Sequence, residues 1–172
     1  ANPLVAATHV VELGLGQVIQ AKVAAAQTGD LVIIRQQTYV NQTISGSKAI
    51  RIVREKNKTV TIGGSLSFSN VNGEMVLRDF ILESGGKGSL TLTNCSKFGL
   101  ENLTKLPEGI NLVNSTVVIR DCAFTGNITI SGGSKVEIID STFSGNLTVT
   151  DAATNVFLSG CTINGEASFS KC

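Results

Sequence analysis

A repeat of 19 or 20 residues runs through the second half of this chain and limits its fold more than any other feature. Four segments align without gaps, and their last residues lie 19, 19 and 20 positions apart. These segments are Phe98–Asn102, Val117–Asp121, Val136–Asp140 and Val156–Gly160. A strict period of this length is typical of a solenoid, in which each repeat buries its apolar side chains only against its neighbours.

A second family of short strands follows the same period. Its members begin at Leu90, Ile110, Ile128, Leu147 and Ala167, which are 20, 18, 19 and 20 positions apart. Apolar residues alternate in both families, so every second side chain is expected to point inward and stack on the next rung. The sequence therefore predicts two parallel strands per turn, with the right-handed crossovers that parallel strands favour.

The N-terminal third carries a different pattern. Leu15, Val18, Ile19, Val23 and Ala26 form an apolar stripe at helical spacing, which predicts a helix over about 15–28, closed by a glycine at 29. A helix here would protect one open end of a solenoid whose rungs run from about 30 to 172. We therefore expect one all-β domain over 1–172, a right-handed parallel β-helix with a single chain of rungs and an N-terminal capping α-helix.

Two partial motifs follow this helix. Thr28-Gly29-Asp30 precedes the apolar run Leu31–Ile34, and Gln37-Thr38-Tyr39 follows it. This order resembles the opening of pectate-lyase-superfamily β-helices, many of which have a short helix, Pro-Gly-Asp, a strand and Gly-Thr-Tyr. The segments 64–68 and 77–82 are similar to the next rungs of the chondroitinase- and alginate-lyase-like members. The resemblance implies this fold and, where there is activity, a polysaccharide lyase or hydrolase.

Composition argues against several partners. Lys and Arg total 14 against 13 Asp and Glu, so no overall field attracts nucleic acid or an anionic membrane. No apolar run reaches the roughly 20 residues that a membrane span needs. We expect no nucleic-acid partner, no membrane span and no cofactor.

The four cysteines form no C-x-x-C pair, which leaves a zinc or redox motif unsupported. Cys122 and Cys161 share a column two rungs apart, a separation of roughly 9–10 Å that is too long for a disulfide. Cys95 and Cys172 share another column, four rungs apart. The sequence predicts free buried thiols, with an intermolecular bond through Cys172 left open.

Two polar columns are candidates for catalysis, and both favour a structural role. The first contains Asn102, Asp121 and Asp140, at a turn where an asparagine ladder is more typical than a cation site or an acid/base pair. The second contains Arg78, Glu101 and Arg120, whose alternating charges indicate a surface ion-pair ladder. We assign no catalytic residue and no metal ligand.

A basic cluster lies in an early rung. Lys48, Arg51, Arg54, Lys56 and Lys58 are opposed only by Glu55, which makes them a candidate patch for a polyanion such as an acidic polysaccharide. The alternative, which the sequence favours, is a solvated edge of the rung. The single histidine, His9, lies outside the repeat and is assigned no role.

The outward positions of the second strand family form two columns of small hydroxyls. They are Thr91, Thr93, Thr129, Ser131, Thr148, Thr150, Ser168 and Ser170, interrupted by Asn111 and Val113. The columns resemble the Thr-x-Thr arrays of β-helical antifreeze proteins, although exposed Thr is also common in ordinary strands. A polysaccharide is a second potential ligand, but only Phe157 of the seven Phe aligns outward as a stacking platform.

Three functions remain open. The favoured one is a non-catalytic extracellular or cell-surface module with a structural, adhesive or self-assembling role. The sequence shows no capping segment after Ala167–Ser170, so an open rung is expected there, and open strand edges invite end-to-end association of copies. The alternatives are a polysaccharide lyase or hydrolase and an ice- or polymer-binding surface.

Overall fold

Short parallel strands wind along the chain into a β-solenoid of about eight turns. The structure is a computed structural model that describes residues 5–14, 18–151 and 153–171. In chain order its elements are β1 (Thr8–Val11), α1 (Ile19–Ala25), β2 (Leu31–Ile34), β3 (Thr38–Gly46), β4 (Arg51–Arg54), β5 (Thr61–Ser69), β6 (Glu74–Arg78), β7 (Ile81–Leu82), β8 (Ser89–Thr93), β9 (Lys97–Glu101), β10 (Thr104–Lys105), β11 (Ile110–Val113), β12 (Thr116–Arg120), β13 (Ala123–Phe124), β14 (Ile128–Ser131), β15 (Lys135–Ile139), β16 (Thr142–Phe143), β17 (Leu147–Thr150), β18 (Asn155–Ser159), β19 (Thr162–Ile163) and β20 (Ala167–Ser170). The parallel β-solenoid predicted from the repeat is confirmed.

Two sheets run along the solenoid. The first has eight strands in the order β1-β2-β4-β6-β9-β12-β15-β18. The second has twelve strands, and its strand β5 joins two arms, since Thr61 pairs with Ile81 of β7 while Ser65–Ser69 pair with Ser89–Thr93 of β8. From β6 onward each turn therefore contains three strands, one from the first sheet and one from each arm.

The prediction of two strands per turn was wrong. The third strand is β7, β10, β13, β16 or β19, and each of these has only two residues. Two residues carry no alternation, so no periodic signal marks them in the sequence. They matter for the core nonetheless, because Leu82, Phe124 and Phe143 are buried from these positions, and the two Phe rings stack with centroids 6.0 Å apart.

The register of the other strands confirms the predicted columns. In the first sheet Phe98, Val117, Val136 and Val156 are paired in succession, as are Leu100, Ile119, Ile138 and Leu158. In the second sheet Leu90, Ile110, Ile128, Leu147 and Ala167 are paired. The segment Met75–Asp79, which resembles the repeat in sequence, joins the same column, because Met75 pairs with Phe98 across 23 residues of chain. Stacked Val, Leu, Ile and Phe side chains along the axis form one continuous core.

The N-terminal helix is shorter than predicted. The structure places α1 at Ile19–Ala25 rather than over 15–28, and the part of the prediction at 15–17 lies outside the described residues. The helix ends early because Ala26 adopts an extended conformation with ψ 147°, and Lys48 Nζ bonds the carbonyl oxygens of Ala24 and Ala26. Ile19, Val23 and Ala26 are nevertheless buried, as the apolar stripe predicted, but Val18 of the same stripe is 50% exposed because it precedes the first helical residue.

One turn of the solenoid accepts only glycine. Gly126, Gly145 and Gly165 stack on successive rungs, and a Cβ on Gly145 would overlap the carbonyl oxygen of Gly126. A Cβ on Gly165 would overlap the carbonyl oxygen of Gly145 in the same way. This close backbone approach explains why the sequence repeats glycine at these positions.

Small hydrogen-bonding side chains line the interior of another turn. The backbone N–H of Cys95 donates to Oγ of Ser115 at 3.0 Å, and that of Ser115 donates to Oγ of Ser134 at 3.0 Å. These serines are buried, so their hydroxyls satisfy backbone groups that have no access to water. These hydrogen bonds form a serine ladder that links each rung to the next from inside the core.

Candidate functional site

The last described turn of the solenoid leaves its apolar side chains open. We call β18, β19 and β20 the uncovered rung. Its inward residues include Leu158, which is 38% exposed, and Phe169, which is 57% exposed. Their partners one rung earlier, Ile138 and Val149, are 0% and 2% exposed. The difference in exposure follows from position, because Leu158 and Phe169 lie on the last described rung and remain apolar like their partners.

The strand edges of the uncovered rung are equally open. β18 is the outermost strand of the first sheet, and β19 and β20 end the two arms of the second sheet. Along 153–171 the only charged residues are Glu166 and Lys171. Exposed edges are normally blunted by charge, proline or a covering segment. No described residue does so here.

The hydroxyl columns predicted from the sequence are aligned by the strand register. Thr91, Asn111, Thr129, Thr148 and Ser168 pair in succession and form the first column. The second column pairs Thr93, Val113 and Ser131, and separately Thr150 with Ser170. We call these two columns the hydroxyl face.

The hydroxyl face is longer than the sequence indicated. Ser67 pairs with Thr91, Ser69 pairs with Thr93, and Ser45 pairs with Ser67. Sequence reasoning missed these residues because the regular period begins only near Leu90. A usable signal was present in Ser65-Leu-Ser-Phe-Ser69, which alternates like Leu90-Thr-Leu-Thr93.

A depression of about 300 Å³ interrupts the hydroxyl face. Thr91, Asn111 and Thr129 line it, and Glu108 borders it. The turn that carries Glu108 is one residue longer than the next, since β10 and β11 begin at 104 and 110 whereas β13 and β14 begin at 123 and 128. Glu108 is held by the backbone N–H of Gly88 at 3.0 Å. The face is therefore stepped, and not a uniform plane.

The basic cluster separates into two groups. Lys48 bonds the end of α1, and Arg54 donates to the carbonyl oxygen of Lys58 at 2.6 Å and lies 3.7 Å from the Asp79 carboxylate. Arg51, Lys56 and Lys58 have exposed side chains. Two of the five cations thus have structural partners, which leaves three that could contact a polyanion.

The predicted column of turn residues is explained by the backbone conformation at these positions. Asn102, Asp121 and Asp140 all have left-handed backbone, with φ of 48°, 53° and 49°. Asn102 donates from Nδ2 to Oδ1 of Asp79 at 2.8 Å, a side-chain contact between rungs. Asn and Asp tolerate this conformation better than most residues, which accounts for the column without catalysis.

The predicted ion-pair column is in register, but only its Arg78–Glu101 pair is an ion pair among the described residues. Arg78, Glu101 and Arg120 are in register on the outer face of the first sheet, and Arg78 Nε donates to Glu101 Oε2 at 2.8 Å. Both partners are exposed, so the pair contributes little to stability. Among the described residues no cluster of three or more His, Cys, Asp or Glu is arranged to hold a metal ion.

The three described cysteines are free thiols. Cys122 is buried, its Sγ donates to the carbonyl oxygen of Arg120 at 3.2 Å, and burial raises the pKa of its thiol to about 12. Burial also raises the pKa of the Cys95 thiol. A thiol held protonated in this way is a poor nucleophile. Cys172 lies outside the described residues.

The described helix is too short to cross a membrane. No protein-family model, curated protein or solved structure matches the chain.

Proposed function

We propose that this chain is a non-catalytic structural module, located outside the cell or at its surface, that associates with another copy through the uncovered rung. The observation that carries the proposal is the exposure of Leu158 and Phe169 at positions that are buried in every complete rung before them. Covering a side chain of this size stabilises an association by roughly 1.5–3 kcal/mol. Both side chains open along the solenoid axis, where a second copy can cover them.

The strand edges support the same role. Three strands, β18, β19 and β20, lie outermost in the two sheets, and a docked edge can lie beside them. The near-neutral rung and the overall charge of +1 impose little repulsion on association. In support of an extracellular location, the sequence contains seven Asn-x-Ser/Thr triplets whose Asn residues are exposed, and Nδ2 of three of them, Asn94, Asn102 and Asn114, bonds a neighbouring rung.

Association should be measured by light scattering across a wide concentration range in reducing buffer. The wild-type chain is expected to grow beyond a monomer, and Leu158→Lys with Phe169→Lys is expected to remain monomeric. Both side chains are inward but partly exposed, so a far-UV circular dichroism spectrum like that of the wild type should accompany the loss of association. Phe157→Lys is the matched control, because Phe157 is 62% exposed on the same rung but points outward in register with Glu137. A wild-type chain that stays monomeric at every concentration would refute the proposal.

A second candidate function is binding of ice or a hydroxyl-rich polymer by the hydroxyl face. The extension of the columns to Ser67 and Ser69 favours it, because a longer in-register array presents more regularly spaced hydroxyls. Thr129→Tyr with Thr148→Tyr should abolish thermal hysteresis or retention on an insoluble polysaccharide. Absence of both activities in the wild type would exclude this candidate.

A further inference from the structure

The outer face of the first sheet carries a groove that the proposed function does not use. It has a volume of about 720 Å³ and crosses β12, β15 and β18. Two columns of outward side chains form its walls, because residues two apart in a strand point to the same side. One column is Thr116, Lys135 and Asn155, and the other is Val118, Glu137 and Phe157. The groove opens sideways, away from the axis along which the rungs stack.

One wall of the groove ends in an exposed aromatic ring. Phe157 is the only aromatic side chain among the described residues that is both outward and exposed, with 62% of its surface open. Val118 and Glu137 occupy the same position on the two rungs before it. The ring is therefore exposed because it points outward, whatever follows β18. The face of an aromatic ring carries partial negative charge and attracts the polarised C–H groups of a ligand.

The charges inside the groove have no partners. Elsewhere on this face, on β6 and β9, Lys97 lies 3.3 Å from Glu74 in an ion pair that joins two rungs. The side chains of Lys135 and Glu137 are exposed, and neither has a hydrogen-bond or ion-pair partner among the described residues. Their ammonium and carboxylate groups are therefore free to contact a ligand beside the Phe157 ring.

This combination of groups fits a neutral sugar chain. A pyranose ring presents an apolar face of C–H groups that can stack on Phe157, and hydroxyls at its rim that both donate and accept hydrogen bonds. The Glu137 carboxylate accepts such bonds, the Lys135 ammonium donates them, and the Asn155 amide does both. An acidic sugar would be attracted by Lys135 and repelled by Glu137, so negative charge on the ligand gains nothing here.

We propose that this groove binds a short segment of a neutral polysaccharide, with one pyranose ring stacked on Phe157 and its hydroxyls bonded by Lys135 and Glu137. The three strands span roughly 9–10 Å, so the bound segment lies along the solenoid axis. The site goes beyond the proposed function and does not depend on association through the uncovered rung. It is also separate from the hydroxyl face, which belongs to the second sheet.

Titration of the isotopically labelled chain with hexasaccharides, followed by nuclear magnetic resonance, tests the place and the chemistry together. Cellohexaose, mannohexaose, xylohexaose and laminarihexaose are the neutral probes, and hexagalacturonate is the acidic one. A neutral probe should shift the backbone amide resonances of 116–118, 135–137 and 155–157, and leave those of Thr91, Asn111 and Thr129 on the hydroxyl face unchanged. No shift with any neutral probe, shifts confined to the hydroxyl face, or tighter binding of hexagalacturonate would overturn the proposal.

Substitutions test the contacts by calorimetric titration with the neutral probe that binds. Phe157→Ala should weaken binding by about ten-fold because the ring is lost, and Glu137→Gln by about five-fold because a charged acceptor becomes a neutral amide of the same shape. Ser159→Ala is the matched control, since Ser159 is exposed and outward on the same strand but lies outside the groove. It should bind like the wild type. Wild-type affinity in a correctly folded Phe157→Ala variant would overturn the site.

Discussion

The carboxylate of Asp30 lies 2.9 Å from Nε2 of His9 and ties β1 to the segment that follows α1. Oxygens of the same carboxylate accept the backbone N–H groups of Ala7 and Gln27, each at 2.8 Å. These three contacts, led by the Gln27 N–H, lower the pKa of Asp30 from 3.8 to about 2. The sequence pattern predicted no role for His9, but its contact with Asp30 helps to hold the N-terminal structure together.

This cluster predicts a defined dependence on pH. A carboxyl with a lowered pKa in the folded state adds stability above its ordinary value of 3.8, and that stability is lost as pH falls through about 2. Asp30→Asn should therefore lower the melting temperature at pH 7, and the difference from wild type should vanish near pH 2. Circular dichroism melts across this range provide the measurement. Asp121→Asn, at an exposed turn, is the control and should leave the melting temperature unchanged.

The stacked glycines predict a sharp steric penalty. Gly145→Ala places a methyl group against the carbonyl oxygen of Gly126, and we expect it to destabilise the fold by about 3 kcal/mol. Gly99→Ala is the matched control, because its methyl would meet Cγ2 of Val76 at an ordinary 3.7 Å. Urea denaturation of the two variants should separate them clearly. Equal stabilities would contradict the close backbone approach.

The internal serine ladder predicts the cost of a buried unsatisfied donor. Ser115→Ala removes the acceptor for the backbone N–H of Cys95 and should destabilise the chain by about 1–3 kcal/mol. Ser67→Ala, on the exposed hydroxyl face, should change stability by less than about 0.5 kcal/mol. Denaturant titration of both variants tests the pair. A neutral Ser115→Ala would mean that the Cys95 N–H has another partner.

Thiol reactivity should follow burial. With Cys172 replaced by Ser, a short pulse of a thiol reagent at pH 8 should label Cys161, which is partly exposed, before Cys95 and Cys122. The raised pKa of the Cys122 thiol, about 12, keeps it protonated under these conditions. Mass spectrometry identifies the labelled residues. In denaturant, the three thiols should be labelled at equal rates. Labelling of Cys122 first would show that its side of the core opens readily.

The sequence predicted the parts of this molecule that repeat. From Leu90 onward a strict period fixes which side chains are inward, and the register from Phe98 to Val156 agrees residue by residue. The two-residue strands were not predicted, because a segment such as Thr104–Lys105 is too short to show alternation. The end of α1 was not predicted, because Lys48, which bonds the carbonyl oxygen of Ala26, is far from the helix in sequence.

The candidate site likewise has parts that the sequence predicted and parts that it did not. The hydroxyl face followed from alternation alone, whereas the depression beside Asn111 depends on a turn that is one residue longer than the turn that follows it. The exposure of Phe169 followed from the open rung that the sequence predicted. The resemblance to pectate-lyase-superfamily β-helices stays a prediction.

The uncovered rung also sets the direction in which the molecule comes apart. Each rung of a solenoid is supported by its neighbours, so the rung with one neighbour opens first and exposes the next. Backbone amides in β18 and β20 should exchange with deuterium ahead of those in β12 and β9, in a gradient along the axis. Unzipping would thus begin at Leu158 and Phe169, so contacts that cover these two side chains would slow the loss of every rung behind them.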